Sequence, residues 1–569
     1  MVDTIMYFSQ YKRRMNGAGI LIEELVHQGV TTVFGYPGGS VLTIYDELHK
    51  NRSRINHVIS ANEQGAVHAA DGYARVTGGI GVVIATSGPG ATNLVTGIAN
   101  AYLDSVPLVI ITGNVATPLL GKDSFQEVDI IGVTLPIVKH SYIVKDIGKL
   151  QSVIREAFEV AGNGRRGPVL IDIPRDIQAA EGEYKQEIEK HERAAAKQRT
   201  EYRNQDFAKA VELINASKQP FIYSGGGVVA AGAGEKLTEF SQKLNAPIGL
   251  SMMGMTAVPH SYRFNLGMTG MHGRYASSKA KSEADLIIAV GVRFSDRATG
   301  NKAKYTEKCK IIHIDIDRAE FNKNIKVDVE VNGDAAEIIT ALYDSVNPKN
   351  NPEWTALIES YKEEERNLKI ASDKLTPRNV IETVNTYTSA DTIIATDVGQ
   401  HQMWVMQYYK FMKVRTLLSS CGLGAMGFGL GAAVGGCIGA GRKKTVLWTG
   451  DGSFGMNLIE LATAVSQQLP IIVIVMNNGV LGMVRQWQSQ FYGARYSQTT
   501  LNRATDFVKI AEGFGARGCR AQSLEQLKSI LDDHFDSPAP VVIDCVIDKD
   551  EKVLPMIPPG GSIDDIIVT

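Results

Sequence analysis

Residues 445–478 read TVLWTGDGSFGMNLIELATAVSQQLPIIVIVMNN, and residues 82–114 read VVIATSGPGATNLVTGIANAYLDSVPLVIITGN. Each is a short apolar run, a glycine turn, Asn-Leu opening an amphipathic stretch, and a Pro that starts a second apolar run ending in Asn. Short β-branched runs alternating with longer amphipathic stretches indicate parallel strands joined by crossover helices. The rhythm recurs at 168–173, 284–292, 310–316, 392–396 and 540–546. The chain is therefore read as α/β, with doubly wound parallel sheets from end to end. The echo between the two quoted stretches predicts a duplicated module in the outer thirds, with a different domain inserted between the copies.

At about 100–200 residues per domain, 569 residues make three domains the working count. Two segments break the rhythm. Residues 181–203 carry twelve charged side chains in twenty-three positions, and 346–377 run Val-Asn-Pro-Lys-Asn-Asn-Pro into a charged helix. Both read as solvated linkers, which divides the chain into 1–188, 189–365 and 366–569. A 44% hydrophobic and 21% charged composition excludes disorder, collagen and coiled coil. A net charge of −2 without a long block of like charge gives nucleic-acid binding no support. No apolar run approaches the roughly 18 residues of a membrane span. The stretch Ile5–Phe8 precedes Lys12, Arg13 and Arg14, the reverse of signal-peptide order, so a cytoplasmic protein is expected. The scattered cysteines, Cys309, Cys421, Cys437, Cys519 and Cys545, are read as reduced and structural. Glycine is in surplus, and twelve of the 56 fall in 422–455. Most are expected in turns; Gly431, Gly435 and Gly436 are expected in a helix packed closely on a sheet.

Asp451, in Gly450-Asp451-Gly452-Ser453, follows an apolar strand, which puts it at the carboxyl end of a parallel sheet where such sheets bind ligands. Asn478 follows the next apolar strand. A carboxylate, an amide oxygen and a backbone carbonyl make a hard site suited to Mg²⁺ and its diphosphate. A lone GDG is more often than not a helix cap; the spacing to Asn478 favours the metal. Glu63, before a helix pattern, reads on its own as a first-turn acid. The glycines 225–227 after the run 220–224 form a GxGxxA, weak evidence for a dinucleotide because no acidic residue closes a strand about twenty residues on.

GDG followed by NN resembles the thiamine-diphosphate motif. With it stand GYPGGSVLTIYDEL (35–48), NEQGAVHAADGYAR (62–75), SFQEVDIIG (124–132), GPVLIDIPRDIQ (167–178), GMHG (270–273), GVRFSDR (291–297), VGQHQMW (398–404), GLGAMGFGL (422–430) and GMVRQWQSQFYGARYS (482–497). Over nearly the whole chain these resemble the catalytic large subunit of acetohydroxyacid synthase, also called acetolactate synthase. The resemblance implies that the outer domains bind the pyrimidine and the pyrophosphate of thiamine diphosphate, with Mg²⁺ on Asp451, Asn478 and the Val480 carbonyl. Glu63 is then similar to the glutamate that exchanges a proton with the aminopyrimidine, a task suited to a desolvated carboxyl. Met426 matches the bulky residue under the folded cofactor. Gly399, Gln400, His401, Gly424, Gly450, Gly452, Ser453 and Met483 fall at cofactor contacts. Gly225, Gly226, Gly227, Arg165, Arg293, Asp315 and Asp334 fall at contacts to FAD, which the family binds without net redox use. Arg293 is also the expected receiver of a second 2-ketoacid, and Trp487 and Met268 line its pocket. Phe125 and Gln126 are further pocket residues, and Lys139 lines the access channel.

The implied reaction decarboxylates pyruvate and condenses the two-carbon fragment with pyruvate or 2-ketobutyrate. The implied assembly is a homodimer or homotetramer, with the cofactor between subunits and a separate regulatory small subunit as a partner. Rival readings are a fermentative acetolactate synthase without FAD, a flavin-dependent pyruvate oxidase, and, from another class, a nucleotide-binding oxidoreductase. Asn62 in place of His, Thr43 in place of Pro, Arg166 in place of Pro and Thr269 in place of Leu depart from the family pattern without removing a catalytic group.

Overall fold

The structure, a computed structural model, describes residues 11–186, 204–368 and 372–568. The expected linker over 187–203 lies outside the described residues. The chain separates into two compact units, 1–75 with 79–198, and 199–569 with the short segment 76–78.

The first unit contains β1 (Tyr11–Asn16), β2 (Thr32–Tyr36), β3 (Asn56–Ile59), β4 (Gly81–Ala85), β5 (Leu108–Asn114), β6 (His140–Ile143), β7 (Pro168–Pro174) and β8 (Glu181–Gln186). Six of these form a parallel sheet in the order β3-β2-β4-β5-β7-β6. The central strands β4, β5 and β7 are buried along their whole length, which is why they read as continuous apolar runs rather than alternating ones. β1 and β8 pair antiparallel, and this corrects the reading of 181–186 as linker. The ribbon keeps its charge in water: Lys12 meets Glu183 at 2.7 Å, while Tyr184 turns into the core.

The second unit holds two six-stranded parallel sheets. The strands are β9 (Pro220–Ser224), β10 (Ile248–Leu250), β11 (Asn265–Met268), β12 (Leu286–Val290), β13 (Lys310–Asp315), β14 (Val329–Asn332), β15 (Ile393–Thr396), β16 (Leu417–Leu418), β17 (Thr445–Gly450), β18 (Ile471–Asn477), β19 (Arg517–Ala521) and β20 (Val541–Val546). They run in the orders β11-β10-β9-β12-β13-β14 and β16-β15-β17-β18-β20-β19. Counted within each sheet, the N-terminal and C-terminal sheets share the order 2-1-3-4-6-5, whereas the middle sheet is 3-2-1-4-5-6. The shared order places the two echoing segments on equivalent strands.

A side-chain detail repeats with it. Asn114, ending β5, donates from Nδ2 to Asp172 Oδ2 at 2.5 Å; Asn477, ending β18, donates to Asp544 Oδ1 at 2.9 Å. In both copies the Asn stands two residues beyond the one in register with the Asp, Thr112 with Asp172 and Val475 with Asp544.

The charged segment after 346 is also more than a linker. It forms a helix, Pro352–Asn367, whose Trp354 and Ile358 are buried in the core of the middle sheet, with Trp354 Nε1 donating to Pro220 O at 3.1 Å. Its charges occupy the other face. The helix Phe428–Gly439 contains Gly431, Gly435 and Gly436 as expected. A Cβ on Gly436 would come within 2.3 Å of Leu418 Cδ1, so the bare backbone is what lets this helix lie against its sheet. Among the described residues, no helix is long and apolar enough to cross a membrane.

Candidate active site

β17 and β18 are adjacent, with Gly450 in register with Met476, so Asp451 and Asn478 emerge side by side at the carboxyl edge. Asp451 is buried and opens the helix Asp451–Asn457. Burial pushes its carboxyl up to about 6, against the pull of hydrogen bonds from the backbone of Gly452 and Gly479. Asn478 Oδ1 accepts from Val480 N at 3.2 Å. The Asp451 carboxyl and the turn at Asn478–Val480 thus lie beside each other, joined by the hydrogen bond from the Gly479 backbone.

Around this turn stand the other expected groups. Ser453 Oγ accepts from Gly450 N at 3.3 Å, tying the turn shut. The Met426 side chain reaches over it, its Cε 3.9 Å from where a Cβ on Gly452 would lie. Gln400 is buried, with Nε2 donating to Gln486 Oε1 and to Glu551 O, both at 2.9 Å. His401 sits beneath the turn: a Cβ on Gly450 would approach its Nδ1 at 3.1 Å, and one on Gly399 its Cε1 at 2.8 Å. Burial pulls His401 down to about 3, and its Nε2 is buried without a hydrogen-bond partner. Gly424 adopts φ +70, a conformation that glycine takes without strain.

Asp397, after β15, is a member of this site that the sequence reading missed. Its Oδ1 accepts from Gly427 N at 2.7 Å and from Val398 N at 3.0 Å, and its Oδ2 from Thr449 Oγ1 at 3.2 Å. One buried carboxyl therefore fixes both the loop that carries Met426 and the strand end before Asp451. The only sequence signal was an acid directly after an apolar run, the signal that found Asp451.

On the helix Gly482–Phe491, Trp487 packs edge-on against Phe491, with ring centroids 5.6 Å apart, and Met483 packs on the core of this unit. The arginine beside Trp487 is Arg297, its guanidinium 5.3 Å from the ring centroid, and not the expected Arg293. Arg293 is half-buried after β12, its carbonyl accepting from Asn324 Nδ2 at 2.9 Å. The motif GVRFSDR contains both arginines, and the left-handed turn at Phe294, φ +48, separates them. Met268 is buried at the end of β11.

In the first unit, Glu63 opens the helix Glu63–Thr77 and is 8% exposed. Asn62 caps that helix, its Oδ1 accepting from Gly65 N at 2.8 Å, so this departure from the family pattern has a structural use. Glu63 Oε2 accepts from Asn93 Nδ2 at 2.9 Å, and Oε1 lies 3.1 Å from where Gly90 would carry a Cβ. Gln126, with φ +57, packs its backbone on Gly88 in the same turn, where a Cβ would stand 2.7 Å from Gln126 O. Phe125, Lys139 and Arg165 complete the expected residues of this unit. Phe125 is 86% exposed. Lys139 gives its ammonium to the carbonyls of Val160 and Asn163, closing the end of the helix Ile147–Gly162. Arg165 donates to Ser105 Oγ at 3.0 Å.

In the middle sheet the strand order reverses between β9 and β12, the position at which 3-2-1-4-5-6 sheets take dinucleotides. The glycines there let two chain segments cross. A Cβ on Gly225 would come within 2.0 Å of Gly291 O, one on Gly227 within 2.6 Å of Gly291 Cα, and one on Gly226 within 3.0 Å of Met253 Cβ. Asp334 caps the helix Ala335–Ser345, and Asp315 accepts from Asp317 N at 2.9 Å.

Three family descriptions match the chain in sequence order: the N-terminal TPP binding domain of thiamine pyrophosphate enzymes at 15–133, their central domain at 207–342, and their C-terminal TPP binding domain at 397–545. The chain is 41% identical over 565 residues to the acetolactate synthase isozyme 3 large subunit of Escherichia coli strain K12, covering 97% of this chain and 98% of that protein. It is also 41% identical to the probable acetolactate synthase large subunit of Methanocaldococcus jannaschii, over 97% of this chain and 95% of the other. For the acetolactate synthase large subunit of Porphyra purpurea the identity is 41%, over 96% and 94%. The chain belongs to the acetolactate synthase large subunits, within the thiamine pyrophosphate enzymes.

As a thiamine pyrophosphate enzyme it requires a place for that cofactor, and the C-terminal edge fits one. His401 Nε2 is a buried polar atom left for a ligand, the glycines 450 and 452 open the turn to it, and Met426 stands above. In the first unit, whose residues 15–133 match the N-terminal TPP binding domain, Glu63 is a buried carboxyl.

Proposed function

We propose that the chain is an acetolactate synthase: it decarboxylates pyruvate and joins the two-carbon remainder to a second 2-ketoacid. Pyruvate as acceptor gives 2-acetolactate, and 2-ketobutyrate gives 2-aceto-2-hydroxybutyrate, at the first common step of branched-chain amino acid synthesis. The full-length match at about 40% identity carries this reading. The three domains are proposed to run 1–188, 189–365 and 366–569.

When bound, thiamine diphosphate supplies a carbon nucleophile and a sink for the electrons released with CO₂. This chain's residues do the rest. Glu63, whose Oε2 is held by Asn93, would hold or release a proton at Oε1 toward the pyrimidine half of the cofactor. Met426, whose Cε lies over Gly452, would support the cofactor there. His401 and Gln400 with the backbone at 450–453 take the diphosphate. Trp487 shapes the acceptor pocket with Met268. Arg297, which stands beside Trp487, takes the acceptor carboxylate in place of Arg293. An extra methylene in such a pocket is worth about 1–3 kcal/mol, so a preference for 2-ketobutyrate and not exclusivity is expected.

Mg²⁺ would sit on Asp451, Asn478 and the Val480 carbonyl, an all-oxygen set that suits it. Among the described residues no three His, Cys, Asp or Glu side chains gather as a softer metal would need. FAD would lie at the switch point of the middle sheet, a reading supported by its strand order and by the buried, unpartnered Ser224 Oγ and His272 Nδ1. The rival reading is a flavin-free enzyme. The colour of the purified protein decides between them: yellow with flavin unreduced during turnover supports FAD, and a colourless active enzyme removes it.

We assign the working unit as at least a homodimer in the cytoplasm. The relatives are named large subunits, which supports a separate smaller partner for this chain too. The test is acetolactate formation from pyruvate by purified protein. It should need added thiamine diphosphate and Mg²⁺; pyruvate consumed without acetolactate, or turnover dependent on NAD(P), would overturn the reading.

A further inference from the structure

After the helix Gly482–Phe491 the chain returns over the turn 479–481 and lies across it antiparallel. Val480 stands opposite Thr500, Leu481 N donates to Thr499 O, and Leu501 N donates to Gly479 O, both at 2.8 Å. These bonds belong to the residues on either side of Val480. Val480 and Thr500 are therefore a non-hydrogen-bonded pair, and the polar groups of Val480 turn away from this strap. Val480 N donates to Asn478 Oδ1 at 3.2 Å, whereas its carbonyl accepts no hydrogen bond among the described residues. Val480 is 4% exposed, and a carbonyl in so buried a residue is ordinarily paired, so this one is left for a ligand. Gly479 is held from both sides, its N–H by the Asp451 carboxyl and its carbonyl by Leu501 N.

The strap is itself anchored by a side chain. Gln488, next to Trp487 on the helix, accepts from Thr499 Oγ1 at 2.8 Å and donates from Nε2 to Ser497 O at 3.1 Å. Thr499 is 2% exposed. Leucines from turn and strap pack together over Gly452, where a Cβ would lie 2.8 Å from Leu481 Cδ2 and 3.5 Å from Leu501 Cδ1. Helix, strap and turn thus form a closed circuit, with the Gln488–Thr499 bond as its side-chain link.

We propose that Thr499 and Gln488 are positioning residues for the metal: they hold the strap that keeps the Val480 carbonyl unpaired, turned away from it and open to a divalent cation. The inference rests on the reading of Asp451, Asn478 and the Val480 carbonyl as the Mg²⁺ site. Thr499 acts through the bond of its carbonyl to Leu481 N, and Gln488 acts through Thr499. Mg²⁺ demands near-ideal octahedral geometry at about 2.0–2.1 Å, so a small displacement of one ligand is felt. Loosening the strap therefore weakens metal binding before it weakens the fold.

The test uses the full-length protein with saturating thiamine diphosphate and Mn²⁺ as the probe, free Mn²⁺ being counted by electron paramagnetic resonance against a protein-free baseline. Thr499→Val removes the hydroxyl and nearly keeps the shape. It should raise the Mn²⁺ concentration for half-saturation roughly tenfold, the effect of losing one hydrogen bond. Thr499→Ser keeps the hydroxyl and should bind as wild type does. Thr499→Val combined with Gln488→Met should be no weaker than Gln488→Met alone, because both remove the same link. Wild-type affinity in Thr499→Val, even with a lowered melting temperature, overturns the positioning role, and so does equal weakening in the serine and valine variants. Losses that add in the double variant overturn the assignment to this pair. A wild type that retains no Mn²⁺ overturns the metal site beneath it, so the two failures are distinguishable without any measurement of turnover.

Discussion

Asp172, Asp397 and Asp451 are buried carboxyls at the edges of two sheets, and burial pushes each up to about 6. A carboxyl raised in the fold holds a proton that the unfolded chain, near 3.9, has released. Its favourable contribution is therefore complete below about pH 4 and is lost as pH rises through about 6. Asp397→Asn keeps an acceptor for Gly427 N and Val398 N and removes the charge. Denaturant unfolding of the cofactor-free chain at mildly acid and neutral pH should show wild type losing more stability than the variant, by about 1–3 kcal/mol. Parallel losses would show that Asp397 carries no such cost. The residues readable from sequence were those placed by local spacing, such as Asp451 and Asn478, each directly after an apolar run. Asp397 escaped because its partners are 30 and 52 residues away, and only the sheet brings them together. Arg293 and Arg297 share one heptapeptide, and the turn between them decides which reaches Trp487.

At the scale of elements, the two misread segments were both charged. β8 and the helix Pro352–Asn367 carry most of their side chains in solvent, so composition points to linker, while one buried Tyr184 or a Trp354 and Ile358 pair anchors each to a core. Strands buried on both faces were legible because their runs are mostly apolar, with few polar residues such as Thr112 and Asp172 among them; edge strands such as β19 (RGCRA) were not. The crossing at Gly291 permits a sharper test. Gly291 has φ +58 and its Cβ would fall 2.5 Å from Gly227 Cα, whereas Gly232 has φ +67 and open space. Gly232→Ala should cost about 1 kcal/mol for the backbone alone, and Gly291→Ala about 2–4 kcal/mol because two backbones must part. Thermal melts check the difference, and loss of bound flavin in Gly291→Ala would tie the crossing to the proposed FAD site. Equal melting of the two variants would show that the crossing yields at no cost.

At the scale of the molecule, the duplication announced by two sequence stretches is present in strand order and in the repeated Asn–Asp pair, so fold class and duplication were both legible. The assembly was not, because one chain shows only its own surfaces. If the proposed cofactor site combines Glu63 of one subunit with Asp451 of another, two inactive variants complement each other. Glu63→Gln mixed with Asp451→Asn gives a hybrid with one site doubly damaged and one intact. After subunit exchange, about a quarter of wild-type activity should return, from half the dimers with one of two sites working. No recovery despite demonstrated exchange would place both residues of each site in one subunit.

The central claim is carboligation that depends on the Glu63 carboxyl. It is tested most directly by supplying pyruvate and 2-ketobutyrate together to wild type and to Glu63→Gln, with thiamine diphosphate and Mg²⁺ saturating, and quantifying both acetohydroxyacids. Wild type should form both products, and the variant should fall by about 10²–10⁴-fold in each while its circular dichroism and melting stay unchanged. Acetohydroxyacid output from a folded Glu63→Gln enzyme at the wild-type level would contradict the account.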